Sequence, residues 1–129
     1  MTFEIERNKK TQQELFGSRT LLRLHRALDF TKQFLEQLVL MKDDDKVATM
    51  ANKVYQATLA NFHPWLIRKA AGLALYSLPN RKDLIKKIAP DGIEESLLKE
   101  KVDVCVHNID IVYKDIEELY TKHSLHGLP

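Results

Sequence analysis

A row of arginine and aromatic side chains on one predicted helix carries the clearest chemistry in the sequence. At about 100° per residue, its five members fall within a sector of roughly 80°, cations first and aromatics after them. They are Arg19, Arg23, Arg26, Phe30 and Phe34. Guanidinium groups bind phosphate through charge-assisted, often bidentate hydrogen bonds, and the next two turns of the same face could shelter hydrocarbon. The row therefore indicates either a site for an amphiphile with an anionic head or a solvated basic flank on a core helix.

A second unusual segment, residues 61–69, places a break between two apolar stretches. His63 directly precedes Pro64, where its backbone is free of a helical ladder and its side chain can point into the core. As a site residue it would be a neutral donor to an amide or hydroxyl oxygen; as a structural residue it would satisfy a neighbouring carbonyl. Trp65, Arg68 and Lys69 allow two interpretations as well. They are a core anchor beside a solvated pair, or a patch for an anionic membrane surface.

Other reactive residue types do not form a catalytic or metal-binding pattern. Cys105 lies on a predicted apolar stripe and is interpreted as an inert core thiol. The histidines at 107, 123 and 126 are not at ligand spacing from an acid or a cysteine, so we expect no metal site. A glycine-rich phosphate loop, a nucleophile elbow and an acid and base pair are all missing. We therefore expect no enzyme and no cofactor.

Composition narrows the class of protein further. The chain has 129 residues, 20 Lys and Arg against 18 Asp and Glu, a formal charge of +2, 44% hydrophobic residues and one cysteine. These values exclude a disordered chain and a disulfide framework, and they favour a reduced, cytosolic setting. The longest stretch without charge, residues 54–67, is too short and too polar to span a membrane. A near-neutral total argues against a nucleic-acid partner.

Helix-period patterning and four glycines predict an all-α fold. Five helices are predicted. The first begins with Ser18 as its N-cap, the second begins near Asp45, and the third begins at Pro64. The fourth begins at Arg81 with Asn80 as its N-cap, and the last follows the turn at Pro90-Asp91-Gly92 and runs to about His123. On the first helix the apolar face is predicted at Leu21, Leu24, Leu28, Leu35 and Leu38; on the last it is predicted at Leu98, Val102, Cys105, Ile109, Val112, Ile116 and Leu119. The third helix is apolar on most sides, which predicts that it is the most buried one.

Four segments together resemble the ceramide-1-phosphate-binding branch of the glycolipid transfer protein superfamily. They are Arg19-Thr20-Leu21-Leu22-Arg23-Leu24-His25-Arg26-Ala27-Leu28, the stretch from Tyr55-Gln56-Ala57 through residues 62–69, Tyr76-Ser77-Leu78-Pro79-Asn80-Arg81, and the ending at residues 123–129. The resemblance implies a two-layer α-helical sandwich that opens to admit sphingolipid chains. It implies that Arg19 and Arg23 bind the lipid phosphate and that His63 binds the ceramide amide. The spacing of Phe30 and Phe34 on the same face of the helix predicts that they form the apolar sleeve for the chains. The glycolipid-binding branch has a tryptophan at the position of Arg23.

The resemblance also implies a membrane-docking segment. Trp65 matches a position that contacts the membrane, and Arg68 with Lys69 matches a basic pair that binds phosphoinositide headgroups. In the family, an acidic residue and a lysine one turn later complete the headgroup site from an earlier helix, and residues 1–18 do not match that pattern. The expected division is a polar extension over residues 1–18 and a partial glycolipid transfer protein domain over residues 19–129.

The expected function is therefore non-enzymatic transfer of ceramide-1-phosphate between cytosolic membrane leaflets. The expected location is the cytoplasm, with peripheral association with Golgi and other cytosol-facing membranes. One alternative is a helical module that forms homodimers or binds partners through uncovered apolar faces. A weaker alternative is a helix-turn-helix DNA binder that uses the three arginines at 19, 23 and 26, which would bind duplex DNA with a steep salt dependence.

Overall fold

The computed structural model describes residues 2–124 and 126, with side chains described from residue 17 onward. Five α-helices follow one another along these described residues. They are α1 (Thr2–Leu40), α2 (Val47–Ala57), α3 (Trp65–Tyr76), α4 (Arg81–Ile88) and α5 (Glu95–Lys122), with a short 3₁₀ turn, η1 (Ala60–Phe62), between α2 and α3. Extended pairing within the described part of the chain is limited to one isolated bridge between Lys46 and Asn80. The predicted all-α class is confirmed.

The first helix is longer than the sequence predicts. α1 continues through Gly17 back to Thr2, so the predicted helix start at Ser18 is wrong. A glycine in a helix interior costs only about 1 kcal/mol relative to alanine, which a long helix with other stabilising contacts tolerates. The residues of the polar N-terminal segment, whose side chains lie outside the described part, are therefore helical in backbone.

The core lies where α1 packs against α5 and α2. The buried apolar side chains come from these helices and from η1: Leu22, Leu38, Val47, Ala48, Ala51, Val54, Tyr55, Ala60, Val102 and Tyr120. The predicted leucine face of α1 is partly wrong at its N-terminal half. Leu24 is 59% exposed and Leu21 is also exposed, whereas Leu22 and His25 are buried. α5 packs against the neighbouring face of the helix, rotated from the leucine row.

The prediction that the third helix, α3, is the most buried one is wrong. Although it is the most apolar helix, none of its residues is buried, and Leu73 is 74% exposed. Trp65, Leu66, Ile67 and Tyr76 are exposed too. Within the described residues, α3 packs mainly on α2 along one side, so apolar content did not predict burial.

α5 buries less of its predicted stripe than expected. Val102 and Tyr120 are buried, but Val112 and Leu119 are about half exposed. Cys105 is also exposed, so its assignment as a core thiol is wrong.

α5 is fixed to α1 by ion pairs as well as by apolar contacts: Lys32 Nζ lies 2.8 Å from Asp110 Oδ1. Hydrogen bonds from Lys114 and Lys32 lower the pKa of Asp110 to about 2.

A buried arginine joins the ends of three helices, and we call this group the Arg81 clamp. Arg81 is 2% exposed; its Nε donates to the carbonyl of Leu38 at 2.7 Å, and its Nη1 donates to Asp43 at 3.1 Å. Nη1 and Nη2 bind the two carboxylate oxygens of Glu95 at 2.7 and 2.9 Å. The hydrogen bond from Arg81 lowers the pKa of Glu95 below its ordinary value. The clamp therefore ties α4 to the end of α1 and the start of α5.

The local signals around this clamp were predicted correctly. Asn80 Oδ1 accepts the backbone N–H of Asp83 at 2.9 Å, which makes it the N-cap of α4. Gly92 has a φ of +85°, in the left-handed region where glycine carries no Cβ penalty, and its N–H donates to Ala89 O at 3.0 Å. The turn before α5 lies where the Pro-Asp-Gly sequence predicts it.

Candidate lipid-headgroup site

The arginine row of α1 lies on the surface of the bundle. Arg19 and Arg23 are exposed, and neither guanidinium group makes a hydrogen bond or an ion pair with any residue that the structure describes. Fixed on a helix at positions i and i+4, the two groups can converge on one anion, since residues at this spacing lie on the same face. This arrangement suits a phosphate, which accepts several charge-assisted hydrogen bonds.

Arg26, one turn further on, connects this row to the break before α3. Its guanidinium carbon lies 3.9 Å from the ring centroid of Phe62, a cation–π contact. Its Nη2 also donates to the backbone carbonyl of His126 at 3.2 Å. Partial burial, with a smaller contribution from Arg23, lowers the pKa of Arg26. The predicted arginine row and the segment that carries His63 are thus brought together in space through Phe62.

A cavity of about 310 Å³ opens beside Arg26. Its walls come from α1, the end of α2, η1, α5 and residue 126: Leu22, His25, Arg26, Asp29, Ala57, Thr58, Asn61, Phe62, Tyr113, Glu117 and His126. His25 is 2% exposed, stacks on Tyr113 with ring centroids 4.0 Å apart, and has its Nε2 2.7 Å from Glu117 Oε2. The other oxygen of Glu117 lies 3.2 Å from His126 Nε2. Sequence analysis gave His25 no role, although its i, i+3 relation to buried Leu22 was the signal for a polar residue on the core face.

His63 has the backbone that its sequence predicts. It ends η1 in an extended conformation, with φ −109° and ψ 141°, as a residue before proline should. Its Nδ1 lies 2.6 Å from the Tyr55 hydroxyl oxygen, and Tyr55 is 3% exposed. Desolvation raises the pKa of Tyr55, although Arg68 acts against this shift. Sequence analysis did not single out Tyr55, which reaches His63 from the preceding helix.

The two aromatic residues after the arginines are half-buried and stacked. The ring centroids of Phe30 and Phe34 lie 5.9 Å apart with an interplanar angle of 27°. They continue the α1 face on which the cations begin, so the order of cations and then aromatics predicted from spacing is present along the helix. Their role as the sleeve for lipid chains stays a prediction.

The three predicted docking residues come together on α3. Trp65, Arg68 and Lys69 are all exposed, and Lys69 Nζ lies 5.8 Å from the Trp65 ring centroid. They line one groove of about 480 Å³ with Asn52, Gln56, Gly72, Leu73 and Tyr76. An exposed indole with two cations beside it can insert at the headgroup level of a bilayer while the cations meet anionic lipid.

The described residues contain neither a membrane-spanning helix nor a metal-binding cluster. Across residues 2–124 and 126, no helix combines the length and apolar character needed to cross a membrane. In the same part of the chain, no three His, Cys, Asp or Glu side chains are grouped so that they could hold a metal ion.

The geometry defines an all-α protein with two exposed guanidinium groups, those of Arg19 and Arg23, on a helix that continues into half-buried aromatic side chains. A family model described as glycolipid transfer protein matches residues 1–90. The chain belongs to the glycolipid transfer protein family, as the resemblance in its motifs predicted.

Known proteins of this family are similar over most of the chain. Ceramide-1-phosphate transfer protein of Xenopus laevis is 36% identical over 127 residues, which cover 97% of this chain and 57% of the relative. The protein of that name from Danio rerio is 43% identical over 115 residues, covering 88% and 53%. The crystal structure of human ceramide-1-phosphate transfer protein in complex with 12:0 ceramide-1-phosphate superposes with a TM-score of 0.77 at 34% identity, covering 88% of this chain and 53% of that one. The chain thus spans about half the length of these relatives.

The predicted fold is confirmed as that of the glycolipid transfer protein family. The division at residue 18 and the roles of the individual site residues remain predictions. Part of the chain-end motif, residues 125 and 127–129, lies outside the described residues, as do the side chains of the acidic and basic residues before Gly17.

Proposed function

We propose that this chain binds ceramide-1-phosphate and takes part in moving it between membranes without catalysis. The observation that carries this proposal is the pair of exposed guanidinium groups, Arg19 and Arg23, on the helix whose next arginine, Arg26, contacts Phe62 directly before His63. A relative that is 34% identical and has the same fold has been crystallised with this lipid, which supports the choice of ligand.

In the proposed complex, each part of the lipid meets a matching part of the protein. The phosphate accepts hydrogen bonds from Arg19 and Arg23. The ceramide amide is bound by His63, and the hydrocarbon chains lie along Phe30 and Phe34. A ligand with one phosphate, one amide and two long chains requires cations, a polar group and an apolar surface in this order.

Membrane docking is assigned to the exposed group on α3. Trp65 inserts at the headgroup level, and Arg68 with Lys69 binds anionic lipid, including phosphoinositide. Each cation near such a surface contributes about 1 kcal/mol, so the pair matters for residence on the membrane. This assignment corresponds to a cytoplasmic protein that associates peripherally with Golgi and other cytosol-facing membranes.

Transfer of this kind breaks no covalent bond. Lipid leaves one leaflet, travels with its chains shielded from water, and enters another leaflet down its own gradient. The protein needs to bind and release, and it requires neither a nucleophile nor a cofactor. We therefore propose a carrier and not an enzyme.

A vesicle-to-vesicle transfer assay with fluorescent ceramide-1-phosphate tests the proposal. We expect transfer by the wild-type chain and a loss of about tenfold or more in Arg23→Ala, because charge-assisted hydrogen bonds contribute about 1.5–3 kcal/mol. Lys86→Ala is the matched control, since Lys86 is an exposed cation on α4, away from the arginine row. Equal transfer by Arg23→Ala and wild type would exclude the phosphate role.

The same assay compares this chain with a version extended at its N-terminus by the preceding helices of a longer relative, and the extended version should transfer at least as well. If only that version transfers, this chain alone is not a carrier, while its family and its phosphate residues stand.

The second candidate is association with another copy of the chain through the exposed apolar side chains of α3. Leu66 and Leu73 are largely exposed, and apolar surface of this extent is typical of an interface. Size-exclusion chromatography with light scattering separates the two functions: a stable lipid-free dimer supports the interaction module, and a lipid-bound monomer supports the carrier.

A further inference from the structure

We propose that Tyr55 is a positioning residue for His63. Its phenol O–H holds the His63 imidazole as the tautomer that carries its proton on Nε2, and Nε2 is then the atom that donates to a carbonyl oxygen of the lipid. The role of His63 in lipid binding rests on the proposed function. The assignment of the tautomer does not.

A direct hydrogen bond joins Tyr55 and His63. Tyr55 Oη and His63 Nδ1 are 2.6 Å apart, a short hydrogen bond between a residue on α2 and the residue that ends η1. The two rings are tilted by 40° with centroids 5.7 Å apart, so the bond lies at their edges and the rings do not stack. The contact fixes the orientation of the imidazole across the break between α2 and α3.

This hydrogen bond has a defined direction. A neutral imidazole has one N–H and one acceptor nitrogen, and a phenol has one proton to donate. Tyr55 is buried, and its hydroxyl has no acceptor other than His63 Nδ1 among the residues that the structure describes. A buried O–H without an acceptor is costly, so the phenol proton points at Nδ1. Desolvation raises the pKa of Tyr55, which keeps it a phenol and therefore a donor.

This direction decides the state of the other ring nitrogen. With Nδ1 accepting, the proton of the neutral ring is on Nε2. Nε2 makes no hydrogen bond with any described residue, and His63 is only half-buried, so this N–H is available to a ligand. It can bind a carbonyl oxygen, and it cannot accept from an amide N–H. Tyr55 therefore decides which atom of an amide the site recognises.

The experiment measures the tautomer directly. Long-range ¹H–¹⁵N correlation spectra of the ¹⁵N-labelled chain at pH 8, where free imidazole is neutral, report which ring nitrogen is protonated. His63→Gln identifies the signals of this residue among the five histidines. We expect Nε2–H with Nδ1 as a hydrogen-bonded acceptor in the wild type. In Tyr55→Phe both shifts should move toward those of a free, exchanging imidazole.

A proton on Nδ1 in the wild type would overturn the proposal, and so would ring shifts that Tyr55→Phe leaves unchanged. The wild-type spectrum decides the first point even if Tyr55→Phe does not fold. Tyr76→Phe is the control, since Tyr76 is an exposed tyrosine on α3 and its hydroxyl makes no hydrogen bond with the described residues.

Binding of 12:0 ceramide-1-phosphate in vesicles then separates this proposal from the proposed function. We expect about fivefold weaker binding for Tyr55→Phe, the equivalent of one hydrogen bond, and no further loss when it is added to His63→Ala. If His63→Ala weakens binding and Tyr55→Phe does not, the positioning role fails and the lipid role stands. If His63→Ala has no effect on binding, the lipid role of His63 fails, while the spectrum still decides the tautomer.

Discussion

Arg81 and Arg23 are the same residue type in opposite surroundings. Arg81 is almost fully buried, and its guanidinium binds a carbonyl and two carboxylates. Arg23 is exposed and makes no ion pair with the described residues. The Leu38 carbonyl that Arg81 binds lies roughly 22 Å further along α1 than Arg23, at about 1.5 Å per residue. Arg81 therefore stabilises the fold, and Arg23 remains available for a ligand.

The comparison shows why charge alone does not identify a binding site. A buried guanidinium such as that of Arg81, with four of its five N–H donors bound to protein acceptors, is not available to a phosphate, however basic its helix is. α4 carries four cations in eight residues, yet its one arginine, Arg81, is structural. Arg19 and Arg23 on α1, in contrast, are exposed and make no hydrogen bond or ion pair with the described residues.

The largest effect is expected at the clamp. Arg81→Ala should lower the free energy of unfolding by about 2–4 kcal/mol, because it removes a buried side chain and leaves the Leu38 carbonyl without its partner. Urea denaturation measures this change. Lys82 is an exposed neighbour on the same helix, and the unfolding free energy of Lys82→Ala should stay within about 0.5 kcal/mol of wild type. A similar loss of stability in both variants would show that the buried Arg81 contributes no more to the fold than an exposed cation.

The reverse pattern is expected at the exposed row. Arg23→Ala should leave the unfolding free energy within about 0.5 kcal/mol, and it should weaken ceramide-1-phosphate binding by roughly 10- to 100-fold. Arg23→Lys keeps the charge but loses the planar, bidentate donor, so its affinity for ceramide-1-phosphate should lie between that of wild type and that of Arg23→Ala. A variant that loses stability and keeps affinity would contradict the assignment of Arg23 to the ligand.

A smaller effect is expected on α3. Trp65→Ala should reduce binding to anionic vesicles several-fold with little loss of stability, because the indole is exposed in the absence of a membrane. Vesicle co-sedimentation at low and high salt measures it. Raising the salt should weaken the Arg68 and Lys69 contribution but not that of Trp65. Leu97→Ala, at another exposed apolar residue, is the control and should sediment like wild type.

The smallest effect is expected from Glu95, and it depends on pH. Because Arg81 lowers the pKa of Glu95 from its ordinary 4.5, the stabilisation is complete above that pH and is lost as the pH falls through the lower folded-state value. Glu95→Gln should therefore make the unfolding free energy depend less on pH below about 4.5. Urea titrations between pH 6 and pH 3 test this, with Glu94→Gln as control. An unchanged pH profile would show that the ion pair does not stabilise the fold.

Sequence analysis predicted the local features of the fold and several parts of the candidate site. The Asn80 cap, the Gly92 turn and the break in the helical backbone at His63 depend on residues close together in the chain, and all three are confirmed. The grouping of Trp65, Arg68 and Lys69 also follows from helical spacing. Contacts between distant segments, such as those of Tyr55 with His63 and Arg26 with Phe62, were not predicted, because spacing along one helix does not identify the partner on another.

The burial of individual helix faces also could not be predicted from the sequence, because it depends on the tertiary structure. Helical periodicity places Leu24 and His25 on adjacent faces of α1, but only the position of α5 decides that His25 is buried and Leu24 exposed. The same applies to α3, whose apolar sequence does not supply the neighbours that would cover it.

The sequence by itself determined the all-α class, the turns, the caps and the family, because these depend on local backbone preferences and on an ordered set of motifs. Only the tertiary structure decided which arginine is structural and which is open. An arginine carries the same charge in every sequence, and its role depends on whether the folded chain brings acceptors to its donors.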